Sequence, residues 1–195
     1  MKQVVLIQVT SPALSESPKL EVKVSELIAR INGTYGSLEF TPVHHYHNDI
    51  DQDEYYSLMS VADIGLITSV RDGMNTTSLE YIVCQKDNHG PLILSEFTGT
   101  AGSLSAAMMV NPWDYKGVAG AIYDALNLSK EEKKNKHVVC VFIFYIKDDC
   151  DKYIYKLTTI YITIYCSCYI ILSHHIQPSS GLSLSLKNFS QILIR

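Results

Sequence analysis

The sequence lacks an excess of positive charge, a secretory leader and a regular set of cysteines. Of its 195 residues, 16 are Lys or Arg and 20 are Asp or Glu, and the net charge of −4 gives no electrostatic footprint for nucleic acid. The first apolar run, residues 4–9, is short and Pro12 soon follows it, so the run indicates a strand and not a signal peptide. Four of the five cysteines lie in the last third, which argues against a disulfide framework. These absences favour a cytoplasmic protein that does not bind nucleic acid.

The chain divides near residue 136 into two parts of unlike composition. Residues 1–136 alternate short apolar runs with amphipathic segments. Residues 138–195 contain no Ala, Glu, Met or Trp and are crowded with Ile, Tyr, Ser and Leu. We therefore predict one domain over residues 1–136, followed by an atypical Ile/Tyr-rich tail over residues 137–195.

Turn and cap signals separate the elements predicted for the first part. The predicted strands are Val4–Val9, Phe40–His44, Ile64–Thr68, Pro91–Leu94 and Met108–Val110. Helices are predicted to begin near Pro18, Asp51, Thr77, Asp114 and Ser129, and the segment Thr100–Ala107 is also predicted to be helical. Asn32-Gly33 is expected to stop the first helix. Strands that alternate with helices predict an α/β fold, a Rossmann-like parallel sheet with helices on both faces.

Three interpretations of the tail remain open. Residues 153–172 have the length of a transmembrane helix, about twenty residues, but they carry Lys156 and several hydroxyl groups. A strand-rich extension is the second interpretation, although Ile160–Ile164 has no turn signals and would be prone to aggregate. The third, which we rank first, is translated non-coding sequence, because the tail favours residues with A/T-rich codons and cuts off the helix that begins at Ser129. No function is assigned to residues beyond His137.

The stretch Arg71–Glu80 carries the clearest functional signal. It joins an apolar strand to a helix, and a loop with a glycine at such a junction is where open α/β sheets bind ligands. Backbone N–H groups and the dipole at a helix start both favour an anionic group. Asp72 and Glu80 are eight residues apart and could both face one ligand. The alternative is structural, because Asp before Gly is a common turn and Asn75 at a helix start can be only a cap.

The same stretch belongs to a set of segments that together resemble one family. In chain order they are Val4–Val9, Arg30–Gly36, Arg71–Asn75, Leu79–Tyr81, Leu92–Gly99 and Val110–Asp114. Residues 1–136 resemble the C-terminal, nucleotide-sugar half of trehalose-6-phosphate synthases, which are retaining glycosyltransferases of family 20 with two Rossmann-like domains in a GT-B fold. The segments Arg71–Ser78 and Ser95–Ser103 are most similar to the fungal branch of the family, in which a synthase-like module is often joined to a phosphatase domain.

The resemblance implies a site for UDP-glucose at the loop. Asp72 would accept hydrogen bonds from the glucose hydroxyls, and Glu80 would accept them from the ribose hydroxyls. Backbone amides would donate to sugar and diphosphate oxygens, namely those of Gly73, Met74, Asn75 and Thr76. No metal cofactor is expected, because Asp51-Gln52-Asp53 has metal-motif spacing but reads as a helix cap.

The resemblance also implies a limit on activity. The family transfers glucose from UDP-glucose to glucose-6-phosphate, and the acceptor domain and an Arg/Lys segment that binds the diphosphate lie before the part that is matched here. The chain is therefore expected to carry the donor-binding half and to be inactive alone. The alternative is a non-catalytic regulatory or scaffold module, whose partners would be the other subunits of a trehalose synthase/phosphatase complex.

Other polar residues give weaker signals. A metal site at His44 and His45 is disfavoured because neighbouring side chains on a strand point to opposite faces. Trp113, which follows Asn111-Pro112, could touch a nucleotide, but packing at a helix entry is the more common role and is the one expected. Ser95 with Glu96 could suggest nucleophilic chemistry, but no His stands at a recognisable spacing, and the resemblance implies a loop-forming role.

Overall fold

One six-stranded sheet organises the computed structural model, which describes residues 3–10, 18–147 and 168–174. Its strands are β1 (Gln3–Val9), β2 (Val43–Tyr46), β3 (Ile64–Ile67), β4 (Leu92–Ser95), β5 (Met108–Val110) and β6 (Cys168–His174). The helices are α1 (Pro18–Tyr35), α2 (Gln52–Val61), α3 (Thr76–Cys84), α4 (Tyr115–Asn127) and α5 (Lys130–Lys147). Strands β1 to β5 alternate with α1 to α4, which confirms the predicted Rossmann-like α/β fold.

The strand order is β2-β1-β6-β3-β4-β5, and β6 is the exception in it. The pairs β1–β2, β3–β4 and β4–β5 are parallel, whereas β6 is antiparallel to both of its neighbours, β1 and β3. Without β6, the order corresponds to the doubly wound arrangement 3-2-1-4-5-6 with its first position open. The parallel sheet predicted for residues 1–136 is confirmed by the pairs among β1 to β5, and the antiparallel strand β6 comes from the tail, for which a strand was one of the open interpretations.

Two apolar clusters cover the two faces of the sheet. Along β3, Ile64 and Leu66 belong to one cluster and Ile67 to the other, as the two-residue period of a strand requires. The first cluster also takes residues from α1 and α4, whereas the second takes them from α2, α3 and α5. All four residues of β3 are buried, and so are all four of β4. β3 and β4 are therefore buried on both faces, as is typical of parallel strands covered by helices on each side.

The first helix and second strand differ from their predicted bounds for a shared reason. Helix α1 continues through Asn32-Gly33 to Tyr35. The Asn32 side chain donates to Val43 O and accepts from Val43 N, both at 3.0 Å, so it pairs with the start of β2 and does not end the helix. The strand begins one residue after Pro42, which has no N–H for a ladder.

Two local predictions were wrong in the central part of the chain. Thr100–Ala107 does not form the predicted α-helix. A short 3₁₀ turn covers Gly99–Gly102 instead, and the glycine at each end of this turn disfavours a longer helix. Asp51 occupies the N-cap position of α2 as predicted, but its side chain makes no capping hydrogen bond. By contrast, Asp114 accepts from Gly117 N at 3.1 Å and caps α4 as expected.

Helix α5 crosses the boundary predicted at residue 136. It begins with the predicted capping box, in which Ser129 N donates to Glu132 Oε2 at 2.8 Å and Glu132 N donates to Ser129 Oγ at 3.2 Å. His137 Nε2 lies 2.9 Å from Ile82 O, and Cys140 is buried in the second cluster, so both anchor α5 against α3.

Most of the tail, residues 148–167 and 175–195, lies outside the described residues. This includes the candidate membrane segment 153–172 as far as residue 167, and its last residues, 168–172, belong to β6. Among the helices that the structure describes, none is long and apolar enough to cross a membrane.

Gly65→Ala is expected to destabilise the domain by about 1–3 kcal/mol, the usual cost of overpacking a core. A Cβ at Gly65 would lie 2.8 Å from ring atoms of Tyr81, which is fully buried on α3 and cannot swing aside. Urea unfolding of both proteins measures the difference. Gly120→Ala is the matched control, because a Cβ there meets nothing within 4 Å on an exposed helix position, where Ala is favoured. Equal midpoints for Gly65→Ala and wild type would contradict the packing described here.

Candidate functional site

The candidate site lies at the carboxyl edge of the sheet, where β3, β4 and β5 end. The loop 68–75 joins β3 to α3, and the segment 96–98 leaves β4 beside it. A parallel bridge joins Asp72 to Thr98, and Gly99 N donates to Asp72 O at 2.9 Å. The carboxyl edge at a change of strand order is the usual ligand crevice of doubly wound sheets, and the predicted loop occupies that place.

Asn75 is the residue that organises this loop. Its Oδ1 accepts from Ser78 N at 2.7 Å, which caps α3, and its Nδ2 donates to Asp72 Oδ2 at 2.7 Å. The side chain is only 1% exposed. The sequence predicted a ligand contact for the backbone amide of Asn75, with a helix cap as the competing interpretation. The structure shows that the Asn75 side chain caps α3 and also holds the Asp72 carboxylate.

The segment that follows β4 packs against the loop 68–75 and is held by its own hydrogen bonds. Ser95 is fully buried, its Oγ accepts from Phe97 N at 3.2 Å, and its carbonyl accepts from Thr98 Oγ1 at 2.9 Å. Ser78 Oγ lies 3.2 Å from Thr100 Oγ1, which ties α3 to the same segment. Ser95 is therefore a loop-forming residue, as the resemblance implied, and is not placed to act as a nucleophile.

Several polar groups of the loop make no hydrogen bond with the residues that the structure describes. Asp72 is half-exposed, and its Oδ1 makes no hydrogen bond with the described residues. The backbone N–H groups of Gly73, Met74 and Thr76 likewise donate to none of the described residues. Met74 is 60% exposed, so the loop is open to solvent. One acceptor and three donors at a helix start can receive a ligand that carries both hydroxyl and anionic groups.

Glu80 lies on α3, and its carboxylate is hydrogen-bonded by a residue of α2. The hydroxyl of Tyr55 donates to Glu80 Oε2 at 2.9 Å, a contact that sequence reasoning missed because the two residues are 25 positions apart. Burial raises the pKa of Glu80, and the hydrogen bond from Tyr55 partly offsets this. One turn further along α3, burial and the nearby Glu80 carboxylate raise the pKa of Cys84, which keeps it a neutral thiol.

His45 on β2 and His47 just after it both approach Thr10, which follows β1. Thr10 Oγ1 lies 3.0 Å from both His45 Nε2 and His47 Nδ1, since residues two apart share one face. His47 Nε2 is 3.5 Å from Glu21 Oε1. Over the described ranges, no group of three or more His, Cys, Asp or Glu residues could hold a metal ion.

Trp113 differs from its expected role. Its backbone N–H donates to Asn111 Oδ1 at 2.9 Å at the entry of α4, but its side chain is 56% exposed and is not packed in the core. The prediction of a packing role at the helix entry is therefore wrong for the indole ring.

The sheet and its helices together define a Rossmann-like α/β domain of the kind that forms the C-terminal half of a GT-B fold. The sequence model of glycosyltransferase family 20 matches residues 1–157, so the match also extends past residue 136. The chain belongs to glycosyltransferase family 20, as its resemblance to trehalose-6-phosphate synthases indicated.

Three relatives show the extent of the similarity. The alpha,alpha-trehalose-phosphate synthase (UDP-forming) of Yarrowia lipolytica is 47% identical over 138 residues, which cover 69% of this chain and 29% of that relative. The N-terminal domain of Candida albicans trehalose-6-phosphate phosphatase is 57% identical with a TM-score of 0.69, over 71% of this chain and 30% of that structure. A structure from E. coli bound with UDP-2-fluoro glucose is 31% identical with a TM-score of 0.64, over 76% of this chain and 33% of that structure. The chain thus spans about a third of the relatives that it matches.

Proposed function

We propose that this chain binds UDP-glucose as the donor half of a trehalose-6-phosphate synthase, and that it does not transfer glucose alone. The observation that carries the proposal is the loop Asp72–Thr76, which offers one carboxylate oxygen and three backbone N–H groups at the carboxyl edge of the sheet. The similarity to a structure bound with UDP-2-fluoro glucose supports it.

Each group of the loop suits one part of this ligand. Asp72 Oδ1 is an ionic acceptor for hydroxyl groups of the glucose. The N–H groups of Gly73, Met74 and Thr76, at the positive end of the α3 dipole, suit the diphosphate oxygens. Glu80, whose Oε1 makes no hydrogen bond with the described residues, would accept from the ribose hydroxyls. The chain contributes a binding surface in this scheme, and the acceptor glucose-6-phosphate and the groups that stabilise the leaving diphosphate would come from elsewhere.

We propose that this binding needs no metal ion. Helix N–H groups and the helix dipole supply the positive charge that a metal would otherwise bring to the diphosphate. UDP-glucose affinity is expected to be the same in excess EDTA and in millimolar magnesium, and an affinity that requires the metal would contradict this part of the proposal.

Asp72→Ala is expected to weaken UDP-glucose binding by about tenfold or more, because a hydrogen bond to a charged group contributes about 1.5–3 kcal/mol. UDP alone lacks the glucose and should lose much less affinity. Isothermal titration of the purified chain with both ligands measures this. Asp87→Ala, on an exposed carboxylate at the opposite edge of the sheet, is the matched control. Failure of the wild-type chain to bind either ligand, or formation of trehalose-6-phosphate from both substrates, would overturn the proposal.

The second candidate is a non-catalytic regulatory or scaffold module within a trehalose synthase/phosphatase complex. The observation that favours it is the 57% identity to the N-terminal domain of a trehalose-6-phosphate phosphatase. Co-purification with synthase and phosphatase subunits, unchanged by Asp72→Ala, would support this role over donor binding. The cytoplasmic location expected from the sequence stays a prediction.

A further inference from the structure

We propose that Tyr55 is a positioning residue for Glu80, which it orients so that the carboxylate receives a pair of adjacent ribose hydroxyls. The inference rests on the proposed binding of a uridine nucleotide and adds a residue from another helix to that site. The hydroxyl of Tyr55 donates to Glu80 Oε2 at 2.9 Å, and Glu80 Oε1 makes no hydrogen bond with the described residues.

The ring of Tyr55 is fixed well enough to hold a carboxylate in place. Tyr55 lies in the first turn of α2, half-buried, and packs against the apolar cluster on that face of the sheet. Its ring centroid is 5.4 Å from that of Tyr56. Helix α2 follows β2, so its first turn begins at the carboxyl edge, on the same side of the sheet as the loop Asp72–Thr76. The hydroxyl is therefore presented to Glu80 by a packed helix and not by a mobile loop.

The hydrogen bond has two consequences for Glu80. An unrestrained carboxylate rotates about its last bond, and a donor on Oε2 fixes that rotation, which leaves Oε1 and the second lone pair of Oε2 directed away from Tyr55. The donor also stabilises the ionised form against the burial that disfavours it. An ionised carboxylate accepts from two hydroxyls at once, whereas a protonated one accepts less and donates one bond of its own.

The titratable groups that face Glu80 in the described part of the chain are few. Tyr55 approaches from α2, and Cys84 lies one turn further along α3. Burial raises the pKa of the Cys84 thiol, so it adds no charge at neutral pH. The protonation of Glu80 therefore depends on burial and on Tyr55, and removal of the Tyr55 hydroxyl raises the pKa of Glu80 further above its ordinary value.

Tyr55→Phe tests the proposal with two ligands, UDP and 2′,3′-dideoxy-UDP, titrated into the full chain from pH 5 to pH 8. The variant is expected to weaken UDP binding about tenfold at neutral pH and to leave the affinity for the dideoxy ligand within about twofold, because only UDP carries the hydroxyl pair. The pH below which UDP affinity falls should also move upward in the variant. Tyr56→Phe is the matched control, since the Tyr56 hydroxyl accepts from Gln52 Nε2 at 3.2 Å.

A double-mutant cycle with Glu80→Gln separates positioning from general damage to the fold. If Tyr55 acts through Glu80, Tyr55→Phe has no further effect on UDP affinity once Glu80 is Gln. Unchanged preference for UDP over the dideoxy ligand in Tyr55→Phe, or an equal loss for both ligands, would overturn the positioning role and leave the proposed function intact. Absence of UDP binding by the wild-type chain would overturn both.

Discussion

Gly99→Ala is expected to abolish UDP-glucose binding, with a loss of about a hundredfold or more. A Cβ at Gly99 would overlap the carbonyl oxygen of Gly73, an atom of the site loop itself. No glycine in the described ranges has a positive φ, so the requirement for glycine at this position comes from space and not from backbone conformation. The two loops would have to separate, which breaks the bond from Gly99 N to Asp72 O and displaces the groups that face the ligand. Loss of two charge-assisted bonds, at about 1.5–3 kcal/mol each, gives that magnitude.

Gly102→Ala is the matched control for this prediction. Gly102 belongs to the same short 3₁₀ segment, and a Cβ there meets nothing within 4 Å, so binding should be unchanged. Titration calorimetry gives the affinity, and far-UV circular dichroism shows whether each variant keeps its helices and strands. Wild-type affinity in Gly99→Ala would mean that the contact between the two loops is not needed for the site.

The parts of this fold that could be predicted from the sequence are those fixed by neighbours along the chain. Asp114 and Ser129 were identified as caps because a cap bonds to residues two or three positions ahead of it. The strands β3 and β5 were placed nearly to the residue because short apolar runs between turn signals are typical of buried strands. The loop at Asp72 was predicted from the same local order of strand, glycine and helix.

What could not be predicted depends on partners far apart in the sequence. Tyr55 reaches Glu80 across 25 positions, and Gly99 reaches the loop of Gly73 across 26. No periodicity or cap rule relates such pairs. The position of β6 is a similar case. It pairs with the edges of both β1 and β3, and these two edges face each other only once the sheet has assembled. The continuation of α1 past Asn32-Gly33 was missed because Asn32 bonds to β2 instead of acting as a stop signal.

The side chain of Asn75 makes both a local contact that the sequence indicated and a contact with the site that it did not. Its bond to Ser78 N is the local cap that the sequence indicated as an alternative, and its bond to Asp72 Oδ2 positions the carboxylate of the proposed donor site. Cap and ligand loop were weighed as competing interpretations, but the amide group satisfies both because its oxygen accepts on one side and its nitrogen donates on the other. The role of the residue is therefore tested best by a substitution that keeps the oxygen and removes only the donor.

Asn75→Asp is expected to lower the free energy of unfolding by about 2–4 kcal/mol at pH 7, because it leaves the cap in place and reverses the contact with Asp72. Two carboxylate oxygens would then face each other across the present 2.7 Å, at a position that is 1% exposed. Such a pair cannot ionise fully, so the pKa of the pair rises above the ordinary Asp value near 3.9. A pKa that is higher in the folded than in the unfolded state means that stability is kept at low pH and lost as pH rises. The difference from wild type should therefore be small near pH 4 and grow towards pH 7, as measured by urea unfolding across that range.

The charge-swapped double variant Asn75→Asp with Asp72→Asn gives the control that separates folding from binding. It restores one amide donor and one carboxylate acceptor with their places exchanged, and the carboxylate still accepts from Ser78 N at the start of α3. Stability at pH 7 should return towards the wild-type value, while UDP-glucose affinity stays low because the acceptor that faces the ligand is now an amide. If the double variant remains as unstable as Asn75→Asp alone, the contact between positions 72 and 75 is not what supports the loop. If it regains full affinity, the carboxylate of Asp72 is not the group that receives the sugar.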